Sequence, residues 1–356
     1  MTSRLDEATR LLGGLVAIPS LSGEEDDAAE HVRRWCDRVG LPVVRDDAGI
    51  RIEIPGKEPG RSLALASHLD VVPPGDGWTR EPFAPVVEDG RLFGRGSGDA
   101  KASVTAMLLA ARDVADAGGP PRGRLLVLFT RGEESRASTM PEAVARSGPI
   151  DAAVVGEPTG LDFAVAQRGL IVAELHARGA QRHAGHAAAA GDRAIETLAG
   201  DLLRVGELFA GRSHALLGRA AATPTMLAAG VAKNVVPGEA VATLDVRTTP
   251  DWTHEQVVRE LGRAMRSEVR VLSDRLVPCE TPERSELLAV ARRIRPEARP
   301  YGSPTCSDWV FLRNLDAVKC GPGDSALSHR ANESVRLDEV TLARAFYASL
   351  AQEYLA

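Results

Sequence analysis

The chain has 356 residues, 44% of them apolar and 26% charged, with a formal net charge of −6 and a pI near 5.8. This is an ordinary soluble composition with material for two domains, and its acidic balance argues against a nucleic-acid polyanion as partner. The N-terminus mixes charges with a short apolar run and reads as neither a signal peptide nor a spanning helix. Cys36, Cys279, Cys306 and Cys320 lack Cys-x-x-Cys spacing, so a cytoplasmic protein without a disulfide framework or thiolate zinc site is expected.

In chain order, Ser22 and Glu25 form a capping-box pattern, and the periodic stretch behind them ends at Gly40, which predicts a helix. Strand patterns follow at 43–54 (VVRDDAGIRIEI) and 62–67 (SLALAS). An amphipathic helix is predicted over 101–118, with strands again at 125–129 (LLVLF) and 152–156 (AAVVG). Strands alternating with helices predict an α/β sheet with helices on both faces. After Pro158 the pattern changes. Residues 164–179 alternate like a half-exposed strand, 193–209 read as a helix, 226–231 and 240–248 as strands, 253–265 as a helix and 268–273 as a last strand. This β-α-β-β-α-β order predicts a ferredoxin-like α+β insert at 163–275, a small antiparallel sheet with helices on one face. Residues 1–162 and 276–356 then form the other domain, closing with a helix over 339–355. The Ala187–Ala190 run is too short to count as low complexity.

Chemistry-bearing residues fall just past the strand patterns, where α/β sheets keep their ligands. SLALAS runs into His68 and Asp70. On an extended strand, residues i and i+2 share a face, so this carboxylate can lie beside the ring, fix its tautomer and leave the other nitrogen for a metal. Asp99 sits in the turn GRGSGD, which is not a G-x-G-x-x-G fingerprint because Asp99 stands at the third glycine position. Glu133 and Glu134 follow LLVLF, Glu157 follows AAVVG, and Ser328-His329 follow Cys-Gly-Pro-Gly-Asp. Ser307, Asp308 and His329 are triad-type residues, but no G-x-S-x-G elbow accompanies them, and Cys306 beside the apolar WVFL run reads as packing. Two histidines and three carboxylates suit two zinc ions with one carboxylate bridging, and the charges nearly balance. Adjacent glutamates diverge, so one ligates while its neighbour serves the attacking water as base.

In order and approximate spacing, SHLDVVP, GRGSGDAKAS, GEES, GEPT and GPGD with SHRANE resemble the metal motifs of the M20 metallopeptidase family, and NVVPGEAVATLDVR resembles its lid-domain signature. That family includes acetylornithine deacetylase, succinyl-diaminopimelate desuccinylase, aminoacylase and glutamate carboxypeptidase. The resemblance implies a mixed-sheet zinc-peptidase catalytic domain and an inserted lid and dimerisation domain. It implies His68 and Glu157 on one zinc, Glu134 and His329 on the other, and Asp99 bridging, with cobalt able to substitute. Glu133 becomes the general base, Asp70 the partner of His68, and the Asp99–Ala100 peptide is expected to be cis.

The family's lid supplies a histidine that polarises the scissile carbonyl, in a G-x-x-x-H pattern that favours His183, after Gly179, over His186. Asn234 and Arg247 fall on the lid signature. Arg247 is the candidate clamp for an α-carboxylate, with Arg168 second. Departures at Ser135-Arg136 and at Thr305-Cys306-Ser307-Asp308 bear on substrate rather than on metal. GSPTCSDWVFL and VKCGPGDSALSH resemble the acetylornithine and acetylcitrulline deacetylase branch. The expected function is removal of the acyl group from a small N-acyl amino acid, foremost N-acetyl-L-ornithine in arginine biosynthesis, with neither nucleic acid nor membrane as partner. A homodimer through the insert is expected, its lid histidine acting in trans. The rivals are an acetylcitrulline or acetyl-lysine deacetylase, a desuccinylase, a dipeptidase or carboxypeptidase, and a metal-free binding protein on the same fold.

Overall fold

A computed structural model describes residues 2–135, 137–186 and 192–356; Arg136 and the alanine run at 187–190 lie outside them. The chain divides into two compact units, one of Met1–Val165, Thr281–Tyr301 and Ser307–Ala356, the other of Ala166–Glu280 and Gly302–Cys306. Each has its own apolar core.

In the first unit, strands run side by side in the order Val43–Asp46, Gly49–Pro55, Arg122–Thr130, Glu58–His68, Ala152–Val155, Asp316–Lys319 and Phe163–Gln167. The four from Arg122–Thr130 to Asp316–Lys319 are mutually parallel, and the flanking pairs are antiparallel, so the sheet is mixed. Leu63 to Ala66 and Leu125 to Phe129 are fully buried. Successive strand residues point to opposite faces, so both faces of the sheet are covered. From the Glu58–His68 strand, the next two parallel strands in the chain go to opposite sides, Arg122–Thr130 on one and Ala152–Val155 on the other. That reversal leaves a crevice beyond the carboxyl ends of these strands, the position where doubly wound sheets bind ligands.

Four sequence expectations change here, the first being the 43–54 run, which is two antiparallel strands, Val43–Asp46 and Gly49–Pro55. The helix Lys101–Asp116 is not amphipathic: Lys101 through Ala111 are all buried, because the Thr2–Val16 and Leu337–Tyr354 helices pack against it. The Ser22–Glu25 capping box does not form. Helix Asp26–Val39 begins later with Glu25 at its N-cap and no side-chain cap, although Gly40 does close it, with φ of 75°. The stretch 164–179 is two strands rather than one, broken at Arg168 into Phe163–Gln167 and Gly169–Arg178.

The second unit has a four-stranded antiparallel sheet, ordered Ala221–Ala229, Glu239–Thr248, Gly169–Arg178 and Glu268–Leu276, with helices Ala194–Val205 and His254–Ala264. This is the β-α-β-β-α-β order. Ile171, Ala173, Leu175 and Ala177 alternate with more exposed neighbours and pack with Ala240, Ala242, Leu244 and Val246 in one core, so one sheet face carries the helices. A capping box does form here, between Thr253 and Gln256. Among the described residues no helix is long and apolar enough to cross a membrane, and the cysteines form no disulfide.

Candidate metal centre

The carboxyl ends of the central strands bring His68, Asp99, Glu133, Glu134, Glu157 and His329 together. His68 is the last residue of its strand, and the parallel register sets Ala66 beside Val155, which brings Glu157 level with His68. Glu133 and Glu134 follow Thr130 on the other side. Asp99 precedes the buried helix, with a cis peptide to Ala100 as expected. His329 follows the short Ser325–Leu327 turn with φ of 63°, a left-handed conformation uncommon outside glycine.

Ligand atoms within 4.8 Å of one another form three groups: His68 with Asp99 and Glu157, Asp99 with Glu134 and His329, and His68 with Glu133 and Glu134. Asp99, His68 and Glu134 each belong to two of these groups. His68 Nδ1 donates to the backbone carbonyl of Asp70 at 3.0 Å, which leaves Nε2 as the nitrogen that can face a metal. That nitrogen faces Asp99 Oδ1 at 3.4 Å and Glu157 Oε1 at 3.8 Å. Neither His68 Nε2 nor Glu157 Oε1 has a hydrogen-bond partner among the described residues. An imidazole nitrogen and two carboxyl groups converging in a buried place need protons or a cation among them. The donor set of imidazole and carboxylates suits zinc or a similar divalent ion.

Electrostatics carries the same message. Burial, followed by the charge of Asp99, pushes Glu157 up to about 8. Burial, then the charges of Glu157, Asp308 and Glu134, raises Glu133 well above the usual carboxylate range. Burial and Asp99 also raise Glu134. Burial opposes protonation of His68, but Asp70 and Asp99 override it and hold its pKa high. Strongly perturbed carboxylates gathered in a cleft mark a functional site.

Asp70 does more than sit beside the ring. Its Oδ1 lies 3.4 Å from His68 Nδ1, while its two oxygens accept the backbone N–H groups of Glu133 at 3.0 Å and Glu134 at 2.9 Å. Ser22 Oγ donates to the same carboxylate at 2.7 Å. Glu25, buried, accepts from Gly132 N at 3.0 Å and Gly23 N at 2.9 Å. The two residues read as a helix cap therefore help seat the Glu133–Glu134 turn. Nothing local in the sequence marks them for that work. The triad-type residues separate: Asp308 accepts from Ser138 Oγ at 2.6 Å and Thr130 Oγ1 at 3.1 Å, whereas His329 Nε2 meets Glu134 Oε1 at 2.9 Å.

Against known proteins, the family described as Peptidase family M20/M25/M40 matches residues 64–353. The chain belongs to this family. It is a metal-dependent amide hydrolase. Among M20 relatives, it is 33% identical to the succinyl-diaminopimelate desuccinylase of Xanthomonas campestris pv. campestris (strain B100), over 82% of this chain and 84% of that one. It is 29% identical to the enzyme of the same name from Cereibacter sphaeroides (strain ATCC 17029 / ATH 2.4.9), over 97% and 98%. The fold resembles aminopeptidase PepT from Bacillus cereus ATCC 10987, with TM-score 0.79, 18% identity and 98% of each chain covered. It also resembles the Bacillus subtilis YXEP protein, a dinuclear metal binding peptidase from the M20 family, with TM-score 0.79, 17% identity and coverage of 100% and 99%.

The remaining candidates of this M20 chain lie in its second unit. His183 is on the two-residue strand Arg182–His183, paired with Val235–Val236. Its Nδ1 accepts from Gly185 N at 3.1 Å, so in the neutral ring Nε2 carries the proton. The His186 ring centroid is 6.0 Å away. Asn234 is exposed. Arg247 already forms a two-pronged pair with Asp245, at 2.7 and 3.0 Å, and its Nη1 is 4.0 Å from Cys306 Sγ. Arg168 donates to the carbonyls of Arg219 and Leu217, and Cys306 Sγ donates to the carbonyl of Arg168 at 3.0 Å. Both guanidiniums are thus engaged within the unit, which the lid signature did not reveal.

Proposed function

We propose that the chain is a two-metal N-deacylase of N-acyl amino acids. The observation that carries this reading is the pair of ligand groups sharing Asp99, with His68 Nε2 and Glu157 Oε1 otherwise unpartnered. His68, Asp99 and Glu157 would hold one ion, and Asp99, Glu134 and His329 the other; zinc is the first choice, with cobalt able to substitute. Divalent ions held there would acidify water and polarise the scissile carbonyl. Glu133 takes the proton of the attacking water and returns it to the leaving amine nitrogen. Burial and neighbouring carboxylates raise its proton affinity, as a base that must later act as an acid requires. Asp70 holds the backbone of Glu133 and Glu134 while supporting His68. His183, with its Nε2–H available, donates to the developing oxyanion. Asn234, Arg247 and Arg168 form the proposed carboxylate-binding set, Arg247 exchanging part of its bond with Asp245 for the substrate.

Succinyl is the first acyl group to test, because relatives at 33% and 29% identity carry the name succinyl-diaminopimelate desuccinylase. Acetyl, on ornithine, is the second, from the resemblance of residues 302–312. The zinc-loaded protein should hydrolyse one N-acyl amino acid from a panel of succinyl-diaminopimelate, acetylornithine, acetylcitrulline, acetyl-lysine and dipeptides. Its kcat/KM there should exceed that for the other acyl class by at least about tenfold, or ~1.4 kcal/mol. Turnover of none of them by metal-loaded protein would sink the reading.

We also propose a homodimer through the second unit, in which His183 serves the partner's centre. One edge strand, Ala221–Ala229, exposes Met226 and Leu227 at 69% and 66%, and a strand edge unpaired among the described residues invites a second copy. Mixing inactive His183→Ala with inactive Glu133→Ala and allowing subunit exchange should recover roughly a quarter of wild-type activity. Half the dimers are then mixed, and each has one complete site. Demonstrated exchange without recovery would place His183 in cis or pass its role to His186.

A further inference from the structure

The candidate ligands are not equally well anchored. His68 closes a strand paired on both sides, and Glu157 lies two residues past another. Asp99 and His329 stand on turns, which are held in place only as well as their hydrogen bonds hold them. Both turns meet at one buried ion pair. Arg95 Nη1 donates to Glu333 Oε2 at 2.6 Å, with both side chains 1% exposed. The other side of this carboxylate faces the Asp99 turn: Oε1 accepts from Gly98 N at 2.9 Å and Asp99 N at 3.0 Å, and Oε2 also accepts from Gly96 N at 3.1 Å. Arg95 reaches the other turn, donating to the carbonyl of Arg330, next to His329, at 3.4 Å, and to that of Pro74 at 3.0 Å.

We propose that the Arg95–Glu333 pair is a positioning device that locks Asp99 and His329 to each other, and so sets the affinity for the ion shared by Asp99, Glu134 and His329. This rests on the two-metal reading above. A carboxylate that gives both oxygens to three backbone N–H groups fixes the turn's path in a way that a single acceptor does not. The buried guanidinium donates both to that carboxylate and to the carbonyl of Arg330, and so carries the constraint across to the chain beside His329. Asp99 would serve both ions, but only the ion at Asp99, Glu134 and His329 takes two ligands from these turns, so that ion is the more affected. Glu333 is therefore worth its burial for what it orders around Asp99.

The test is metal binding by competition with a chromophoric chelator, on wild type and on Glu333→Gln. The glutamine offers one acceptor oxygen where the glutamate offers two, so it cannot serve both Gly96 and the Gly98–Asp99 pair. Wild type should bind two zinc ions. The variant should bind the ion at Asp99, Glu134 and His329 about ten- to hundred-fold more weakly, with the other weakened by clearly less. Two unchanged affinities would overturn the inference, and equal weakening of both would assign the pair to general structure instead, overturning it as well. Should Glu333→Gln fail to fold, Arg95→Met/Glu333→Gln removes both charges together and leaves no unpaired buried charge. The same split between the ions is expected there, and its absence has the same meaning. Wild-type protein that binds no metal would instead defeat the two-metal reading itself.

Discussion

Glu133→Gln should retain both metal ions and lose about 10²- to 10⁴-fold in kcat, the usual contribution of a positioned acid–base group. Glutamine keeps the shape of the side chain and can neither take nor return a proton. Glu134→Gln should behave differently, because Glu134 meets His329 at 2.9 Å and shares a ligand group with Asp99. Its loss should appear first as weaker metal binding, with activity recovering in part at high zinc concentration. Glu133 also groups with His68 and Glu134. Metal analysis and kcat measured side by side make the separation. If Glu133→Gln lost metal while Glu134→Gln kept it and lost only turnover, the two roles would be exchanged.

Stripping the metal should abolish activity, by at least about a hundredfold, and adding zinc or cobalt back should restore it. It should also destabilise the fold, because ions that bind only the folded chain add about 2.7 kcal/mol at a free concentration of a hundred times Kd. The pH dependence follows from the carboxylates. In the metal-free protein, burial and Asp99 raise Glu157 from 4.5 to about 8, so at pH 7 it carries a proton that a metal must displace. Metal binding at pH 7 should therefore release protons, and apparent affinity should rise by about tenfold per pH unit per displaced proton toward pH 8. The sign for stability is the opposite of that for a salt-bridged acid. A raised carboxylate stabilises the metal-free fold fully below 4.5 and ceases to do so as pH climbs to about 8. Metal-free protein should consequently melt at lower temperature at pH 8 than at pH 5.5 as far as Glu157 contributes, while metal-loaded protein should lose that dependence. Binding without proton release, measured with a pH indicator in weak buffer at pH 7, would contradict this account.

Much of the catalytic unit can be read from its sequence because the signals are local. Leu125 to Phe129 form an unbroken apolar run, and such a run ending in polar residues places Glu133 and Glu134 at the end of a buried strand without reference to the rest of the chain. His68, Asp99, Glu157 and His329 are legible in the same way, each a few residues past a strand or turn pattern. The β-α-β-β-α-β order of the second unit follows from alternation that the Glu239–Thr248 strand displays residue by residue. The Thr253–Gln256 capping box formed because its partners are three residues apart on one helix end.

What only the tertiary structure decided is which distant groups meet. Ser22 and Glu25 have the same local pattern as Thr253 and Gln256, but their side chains serve Asp70 and Gly132, 48 and 107 residues away. Glu333 finds the Asp99 amide across 234 residues, and no periodicity connects them. The helix Lys101–Asp116 was expected to show one polar face and instead is buried over most of its length, because helices from both ends of the chain close over it. The physical reason is the same in each case. Propensity and patterning act over a few residues, whereas a buried polar group takes whichever partner the folded chain brings within hydrogen-bond distance, because leaving it unpaired costs more than giving up a local cap.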